Sequence, residues 1–211
     1  MVNYDAYATT FSNSRKDLKW PELDAIIEDM RQCGYTSVLD VGCGNGRLVE
    51  QLREKSEEWR IKAYLGIDNS AGMIAEARKL HPDHQFEVCP MESLFSHPTI
   101  QPSYYDAIVF LASFHHLETR EQRLQVLSEI KKYLVPGWAI YMTNWNLRGQ
   151  PRYEKSHRWD GDFDIKIWEY SRYYHGFTLE ELAELFESTT YKIVENRVFE
   201  WGRNIYSVLT I

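Results

Sequence analysis

Val38-Leu39-Asp40-Val41-Gly42-Cys43-Gly44-Asn45-Gly46-Arg47-Leu48 is the stretch on which the reading of this chain turns. Val38, Leu39 and Val41 have the apolar character of a buried strand end. Three glycines at alternate positions then interrupt the run, and a helical pattern starts at Leu48. A strand, a glycine turn and a helix start in succession make a seat for a nucleotide-like cofactor. Glycine removes the Cβ that would hold a ligand off the backbone, and free N–H groups point out of a helix start. An ordinary strand-to-helix turn needs one glycine rather than three.

A second signal stands just over 20 residues past Gly46: Tyr64-Leu65-Gly66-Ile67-Asp68, another apolar run that ends in an acid. An acid at the tip of a second strand can accept hydrogen bonds from a ribose. Asp68 can equally cap the helix that follows, and Ser70 caps as well, so both roles stay open. Glycine spacing separates the cofactors. A dinucleotide fingerprint is Gly-x-Gly-x-x-Gly, whereas this chain has Gly-x-Gly-x-Gly with Asp40 on the strand before it. That disfavours a nicotinamide oxidoreductase.

The pattern resembles motif I of the class I S-adenosylmethionine-dependent methyltransferases. The resemblance implies that Asp40, Gly42, Cys43, Gly44 and Gly46 hold the amino-acid part of S-adenosyl-L-methionine. Asp68 and Asn69 are then expected at the ribose. The loop after the third strand runs under the adenine in that family, commonly with an acid first. Here Pro90 stands in that place, and Met91 and Glu92 are expected to take over the contact. Leu111, at the end of the fourth strand, completes the expected cofactor set.

With 211 residues and 44% hydrophobic content the chain suits a single domain with a well-buried core. No run approaches the length of a membrane span, and the start has neither the basic nor the apolar region of a signal peptide. Cys33, Cys43 and Cys89 are an odd, scattered set, unlike a disulfide framework or zinc ligands. A cytoplasmic location and no metal are expected. The net charge of −7 leaves no basic surface for phosphates overall, so a nucleic-acid substrate requires a local basic patch or a helper subunit.

Periodicity predicts a helix from Pro21, then strands and helices in alternation. Strands are expected over Lys62 to Ile67, Gln85 to Cys89, Tyr105 to Leu111 and Trp138 to Thr143. Helices are expected over Ala71 to Leu80 and Arg120 to Leu134. Such alternation calls for a doubly wound, Rossmann-like α/β fold. Tyr191–Phe199 and Asn204–Ile211 are too close in sequence for anything but an antiparallel pair. The expectation is a seven-stranded, mostly parallel sheet with an antiparallel hairpin strand at its C-terminal end.

Two segments fall outside that frame. Residues 1–20 carry Tyr4, Tyr7, Phe11, Arg15, Lys16 and Trp20, too aromatic for a disordered tail, and suit a lid segment or simple docking on the core. Residues 145–177 alternate aromatic rings with charges, which suits a substrate cap. Leu111-Ala112-Ser113-Phe114-His115-His116-Leu117 should face the reacting centre, where His115 is a candidate general base and His116 a residue that orients the loop.

A narrower resemblance rests on Tyr4-Asp5-x-Tyr7-Ala8, the Leu111–Leu117 turn, Arg172-Tyr173-Tyr174-His175-x-Phe177 and Trp201-Gly202-Arg203-Asn204-Ile205-Tyr206. These are similar to the methyltransferases that esterify 5-carboxymethyluridine at the tRNA wobble position, some of which work with a small partner subunit. The resemblance implies tRNA as a substrate. Arg172, with Tyr173 and His175 beside it, is then the candidate to position a carboxylate, unless Arg172 pairs with Glu169 or Asp164. The alternatives are a small-molecule O- or N-methyltransferase and a non-catalytic subunit of a methyltransferase complex.

Overall fold

The computed structural model describes residues 20–54, 60–100, 104–167 and 170–211. The expectations for residues 1–19 lie outside them. Five strands build the parallel part of one sheet: β1 (Ser37–Val41), β2 (Ala63–Asp68), β3 (Gln85–Val88), β4 (Tyr105–Leu111) and β5 (Leu134–Trp145). Further along come β6 (Asp162–Ile167), β7 (Tyr170–His175), β8 (Lys192–Val198) and β9 (Asn204–Thr210). The main sheet has seven strands in the order β3-β2-β1-β4-β5-β9-β8, and β6 pairs with β7 in a separate two-stranded sheet. β9 is antiparallel to both of its neighbours, so β8 runs with the parallel set. This is the expected seven-stranded sheet with one antiparallel strand.

Helices cover both faces. α1 (Pro21–Gln32), α2 (Arg47–Glu54) and α3 (Ala71–Leu80) bury Ile26, Met30, Val49 and Ile74 against one face. α4 (Arg120–Ile130) and α5 (Leu179–Ser188) bury Leu127, Ile130, Leu182 and Phe186 against the other. Val38 goes to the first core and Leu39 to the second, as period-two alternation requires of a strand buried on both sides. β1 pairs with β2 on one side and β4 on the other, so the strand order reverses there. A crevice opens at such a switch point, beyond the carboxyl ends of the strands.

Two boundaries differ from expectation. The helix that should run to Leu134 stops as α-helix at Ile130 and tightens into a 3-10 turn over Lys131–Tyr133. β5 then starts at Leu134 rather than Trp138, because Val135-Pro136-Gly137 bulges out between the pairings Tyr105↔Leu134 and Ala107↔Ala139. Proline lacks a ladder N–H and is tolerated at such a bulge. Residues 145–177 form more than a loop. The β6–β7 pair closes a small core of its own from Leu147, Phe163, Ile165 and Tyr174.

Gly42 shows why the turn after β1 needs a glycine. Its φ is +77°, and a Cβ there would stand 2.3 Å from the Cβ of Ser113. The close approach lets the Ser113 hydroxyl donate to the Val41 carbonyl at 2.5 Å, joining the ends of β1 and β4. Gly137 has a similar φ of +84° but open space around it. Gly137→Ala should therefore lose only the left-handed penalty of about 1 kcal/mol, while Gly42→Ala should lose about 2–4 kcal/mol by adding overpacking. Chemical denaturation of the two variants measures the difference.

Candidate active site

The glycine turn is tied down by the end of β2. The Ile67 carbonyl accepts from both Gly42 N (2.8 Å) and Cys43 N (2.9 Å), and Asp68 Oδ2 accepts from Gly44 N at 3.0 Å. These N–H groups are thus spent inside the protein rather than offered to a ligand. Asp68 Oδ1 accepts from Ser70 N (2.9 Å), and Ser70 Oγ in turn caps α3 by accepting from Met73 N at 3.1 Å. Of the two roles open for Asp68, organising the helix start is therefore present, with Ser70 as the N-cap itself. A carboxylate oxygen can accept more than one hydrogen bond, so Asp68 at the cleft suits a ribose hydroxyl.

A cleft opens above this turn. Its floor carries Asp40, Gly42, Cys43, Gly44, Asp68, Asn69, Met91, Glu92 and Leu111, nine of the ten expected cofactor residues. Gly46 is the exception and does not line it. A Cβ at Gly46 would stand 2.6 Å from the His81 ring, so this glycine serves packing behind the turn. Asp40 is 1% exposed, and the Tyr64 hydroxyl donates to its Oδ2 at 2.7 Å. Its Oδ1 is buried and has no hydrogen-bond partner among the described residues. Burial pushes the carboxyl up to about 7, against the opposing pull of the Tyr64 hydrogen bond.

The opposite wall comes from the turn after β4 and from the cap. Ala112, with φ +53°, sends the chain into the short 3-10 turn Phe114–His116. Both histidines of that turn reach the cleft, with Trp145, Arg172 and Tyr174. Trp145 and Tyr174 stack at 4.9 Å with 17° between their planes, and the Arg172 guanidinium sits 5.3 Å from the Tyr174 ring centre. Burial draws Arg172 down to about 10, where it stays charged at neutral pH.

Two expectations are corrected here. Strand alternation separates Tyr173 and His175 from Arg172, because residues two apart share a face and adjacent ones do not. Arg172 and Tyr174 face the cleft, whereas Tyr173 and His175 are absent from its lining. His175 instead lies between Asp162 Oδ1 (2.9 Å) and Glu181 Oε1 (2.6 Å). The Tyr173 hydroxyl meets Asp162 at 2.7 Å and accepts from buried Arg123 at 3.1 Å. Second, Nδ1 of His115 accepts the Trp145 backbone N–H at 3.2 Å, and burial lowers its pKa well below the usual value. That lone pair is occupied and Nε2 is buried, so neither ring nitrogen is placed to act as the expected general base. Of the two acids weighed as partners of Arg172, Asp164 pairs with Arg158 at 3.1 Å. Glu169 lies outside the described residues.

His116, lowered by burial to about 4, donates from Nδ1 to the Tyr173 carbonyl at 3.1 Å and so joins the β4 turn to β7. Sequence reasoning did not single out Arg47, Ser113, Trp145 and Tyr174 for this site. For Tyr174 the signal was available, since it stands two residues from Arg172 on a strand. Among the described residues no cluster of His, Cys, Asp or Glu can hold a metal ion, and no helix is long and apolar enough to cross a membrane.

The cleft fits S-adenosylmethionine by its donor set. An unpartnered buried carboxylate oxygen suits an ammonium, and Asp68 suits the ribose. Residues 38–137 match the methyltransferase domain family. Fold and family match together show that the chain carries a methyltransferase domain over residues 38–137, on the class I fold of the S-adenosylmethionine-dependent methyltransferases.

Two relatives are both named tRNA (carboxymethyluridine(34)-5-O)-methyltransferase. The one from Arabidopsis thaliana is 28% identical over 147 residues, covering 67% of this chain and 31% of the relative, so the chain matches about a third of that protein's length. The one from Schizosaccharomyces pombe is 27% identical over 219 residues, covering 92% and 88%. A solved complex between the Haloferax volcanii Trm112 methyltransferase activator and a methyltransferase superposes with a TM-score of 0.70 at 17% identity, covering 99% of this chain and 95% of the other.

Asp40 makes cofactor binding depend on pH. Only its ionised form pairs with an ammonium, and in the free protein ionisation is half complete at about 7. Affinity for S-adenosylhomocysteine should fall roughly tenfold between about pH 7.5 and pH 6. Asp40→Asn should bind at the weaker level across this range, with little slope. The sign reverses for stability of the free protein, because a carboxyl whose folded pKa is raised stabilises least once ionised. That contribution is lost as pH rises from about 4, the unfolded value, to about 7. Calorimetric titration across the range reads the affinity, and melting curves read the stability.

Proposed function

We propose that this protein transfers a methyl group from S-adenosylmethionine to a carboxylate, and that the carboxylate belongs to a carboxymethyl group on a tRNA wobble uridine. The observation that carries the reading is Arg172 on the cleft wall, its guanidinium 5.3 Å from the Tyr174 ring centre. A guanidinium held this way presents a planar fork that matches a carboxylate in two bonds. The two histidines beside it are both held neutral by burial. A wall with a fixed cation and without a base poised near neutrality suits an acceptor that is already ionised, as a carboxylate is at pH 7.

When bound, S-adenosylmethionine supplies a methyl group on a sulfonium, and attack by a carboxylate oxygen breaks the carbon–sulfur bond to give an ester and S-adenosylhomocysteine. The protein's part is to orient and to keep water away. Arg172 holds the acceptor, the Trp145–Tyr174 stack and His115 form the dry wall, and the tie from His116 to Tyr173 keeps β7 in place. Residues 145–177 thus act as the substrate cap of a single domain.

Carboxymethyluridine as the acceptor is supported by the names of both relatives, and a helper subunit by the archaeal complex with its activator. The net charge of −7 favours such a helper, since this chain brings little positive surface to RNA. The same charge favours a second reading, a small-molecule carboxylate acceptor that needs no such surface.

Mass spectrometry of tRNA from cells with and without this gene separates the two. Loss of the methyl ester of carboxymethyluridine, restored by the gene, is the expected result. An unchanged tRNA ester pool favours the small acceptor. Arg172→Lys keeps the charge and loses the fork, and should lower transfer at least about tenfold, roughly 1.4 kcal/mol, with cofactor affinity and melting temperature near wild type. A variant that melts earlier yet turns over normally would make Arg172 structural.

A further inference from the structure

Methyl transfer to a carboxylate sets this cleft a problem of discrimination. Two carboxylates must lie in it at once, one on the acceptor and one on the amino-acid part of the donor. Among the cleft-lining residues, Arg47 and Arg172 carry permanent positive charge. Each is stacked on an aromatic ring that also lines the cleft: Arg172 on Tyr174 at 5.3 Å, and Arg47 on Trp20 at 4.7 Å. They belong to different walls. Arg172 rises from the cap, beside Trp145. Arg47 is the first residue of α2 and directly follows the glycine turn.

The chemistry of the donor assigns them. Its amino-acid part is a zwitterion, and the buried Asp40 Oδ1, at the head of the same turn, suits the ammonium. The carboxylate on the same carbon then needs a cation on the same side, and the glycine-turn side supplies Arg47. We propose that Arg47 binds the cofactor's carboxylate, with Trp20 as the ring that holds its guanidinium in plane, so that the two arginines divide the two carboxylates between them. The assignment of Arg47 rests on S-adenosylmethionine being the donor, and the division between the two arginines rests also on the carboxylate acceptor proposed above. A guanidinium lying over a ring bonds in its own plane, which is the plane a carboxylate fork requires.

Two ligands that differ only in the group concerned make the test. S-adenosylhomocysteine carries the amino-acid part, and 5′-methylthioadenosine lacks it while keeping adenine, ribose and sulfur. Calorimetry on the full chain should show Arg47→Gln weakening S-adenosylhomocysteine about 10–100-fold, with 5′-methylthioadenosine unchanged within about twofold. Arg47→Lys, which keeps the charge, should recover part of the loss. Trp20→Leu should weaken S-adenosylhomocysteine severalfold and spare the smaller ligand. Arg172→Gln should leave both affinities in place.

Equal weakening of both ligands by Arg47→Gln would make Arg47 a structural support of the cleft and overturn the assignment. No weakening of either would overturn it too. Selective loss in Arg172→Gln would move the cofactor carboxylate to the cap. A wild-type protein that binds neither ligand would remove the donor itself, a failure distinct from the others because it appears before any substitution.

Discussion

The carboxylate of Asp68 is the contact on which the cofactor side of this molecule depends. One oxygen takes the N–H of Gly44, and the other takes the N–H of Ser70. The first bond holds the glycine turn against β2, and the second sets the start of α3. Three chain segments are thereby fixed around one side chain at the mouth of the cleft. An acid in this place is charged and accepts only, so it can satisfy donors on two sides and still offer lone pairs to a third. Preorganisation of the cleft floor follows from that geometry.

The acceptor side is held from behind. Arg123 is 4% exposed and donates to the Leu117 carbonyl at 3.2 and 2.9 Å, to the Glu118 carbonyl at 3.3 Å and to the Tyr173 hydroxyl at 3.1 Å. Glu181, 3.7 Å from Arg123, also meets His175, which meets Asp162 in turn. One guanidinium therefore joins the β4 turn, the cap hairpin and α5. Such a buried network is strong only when complete, and removing one member leaves the others without partners. β7 works on two faces: Tyr173 and His175 lock it to this network, and Arg172 and Tyr174 look into the cleft.

The centre of the parallel half of the sheet is legible in the sequence because β1, β2 and β4 are largely buried and read as mainly apolar runs, β1 leading into a glycine and β2 ending at an acid. The floor of the cleft follows, since motif and strand end coincide there. The cap is harder. Phe163 and Ile165 keep a period of two, but Asp162, Asp164 and Lys166 alternate with them, and charged Arg172 stands near Tyr174 as well, which gives the stretch the look of a solvated loop. Without its strands, Tyr173 and His175 group with Arg172 by proximity along the chain. Arg47 is hidden for another reason: nothing local to it announces the ring of Trp20, brought there by the packing of α1 beside α2.

The position of β9 carries a consequence for how the chain acquires its shape. β8 finds its sheet partner only in β9, and β9 fills the place beside β5. The last described strand in the chain is thus an interior one, and the sheet stays open at β5 until the ribosome has released it. Until then Ile140 and Met142 flank an unpaired edge, the kind of surface on which nascent chains associate. A message cut short before Asn204 would yield an α/β half-sheet with the whole glycine turn in place and no means of closing it, and the closing strand, rather than the cofactor loop, decides whether such a product survives.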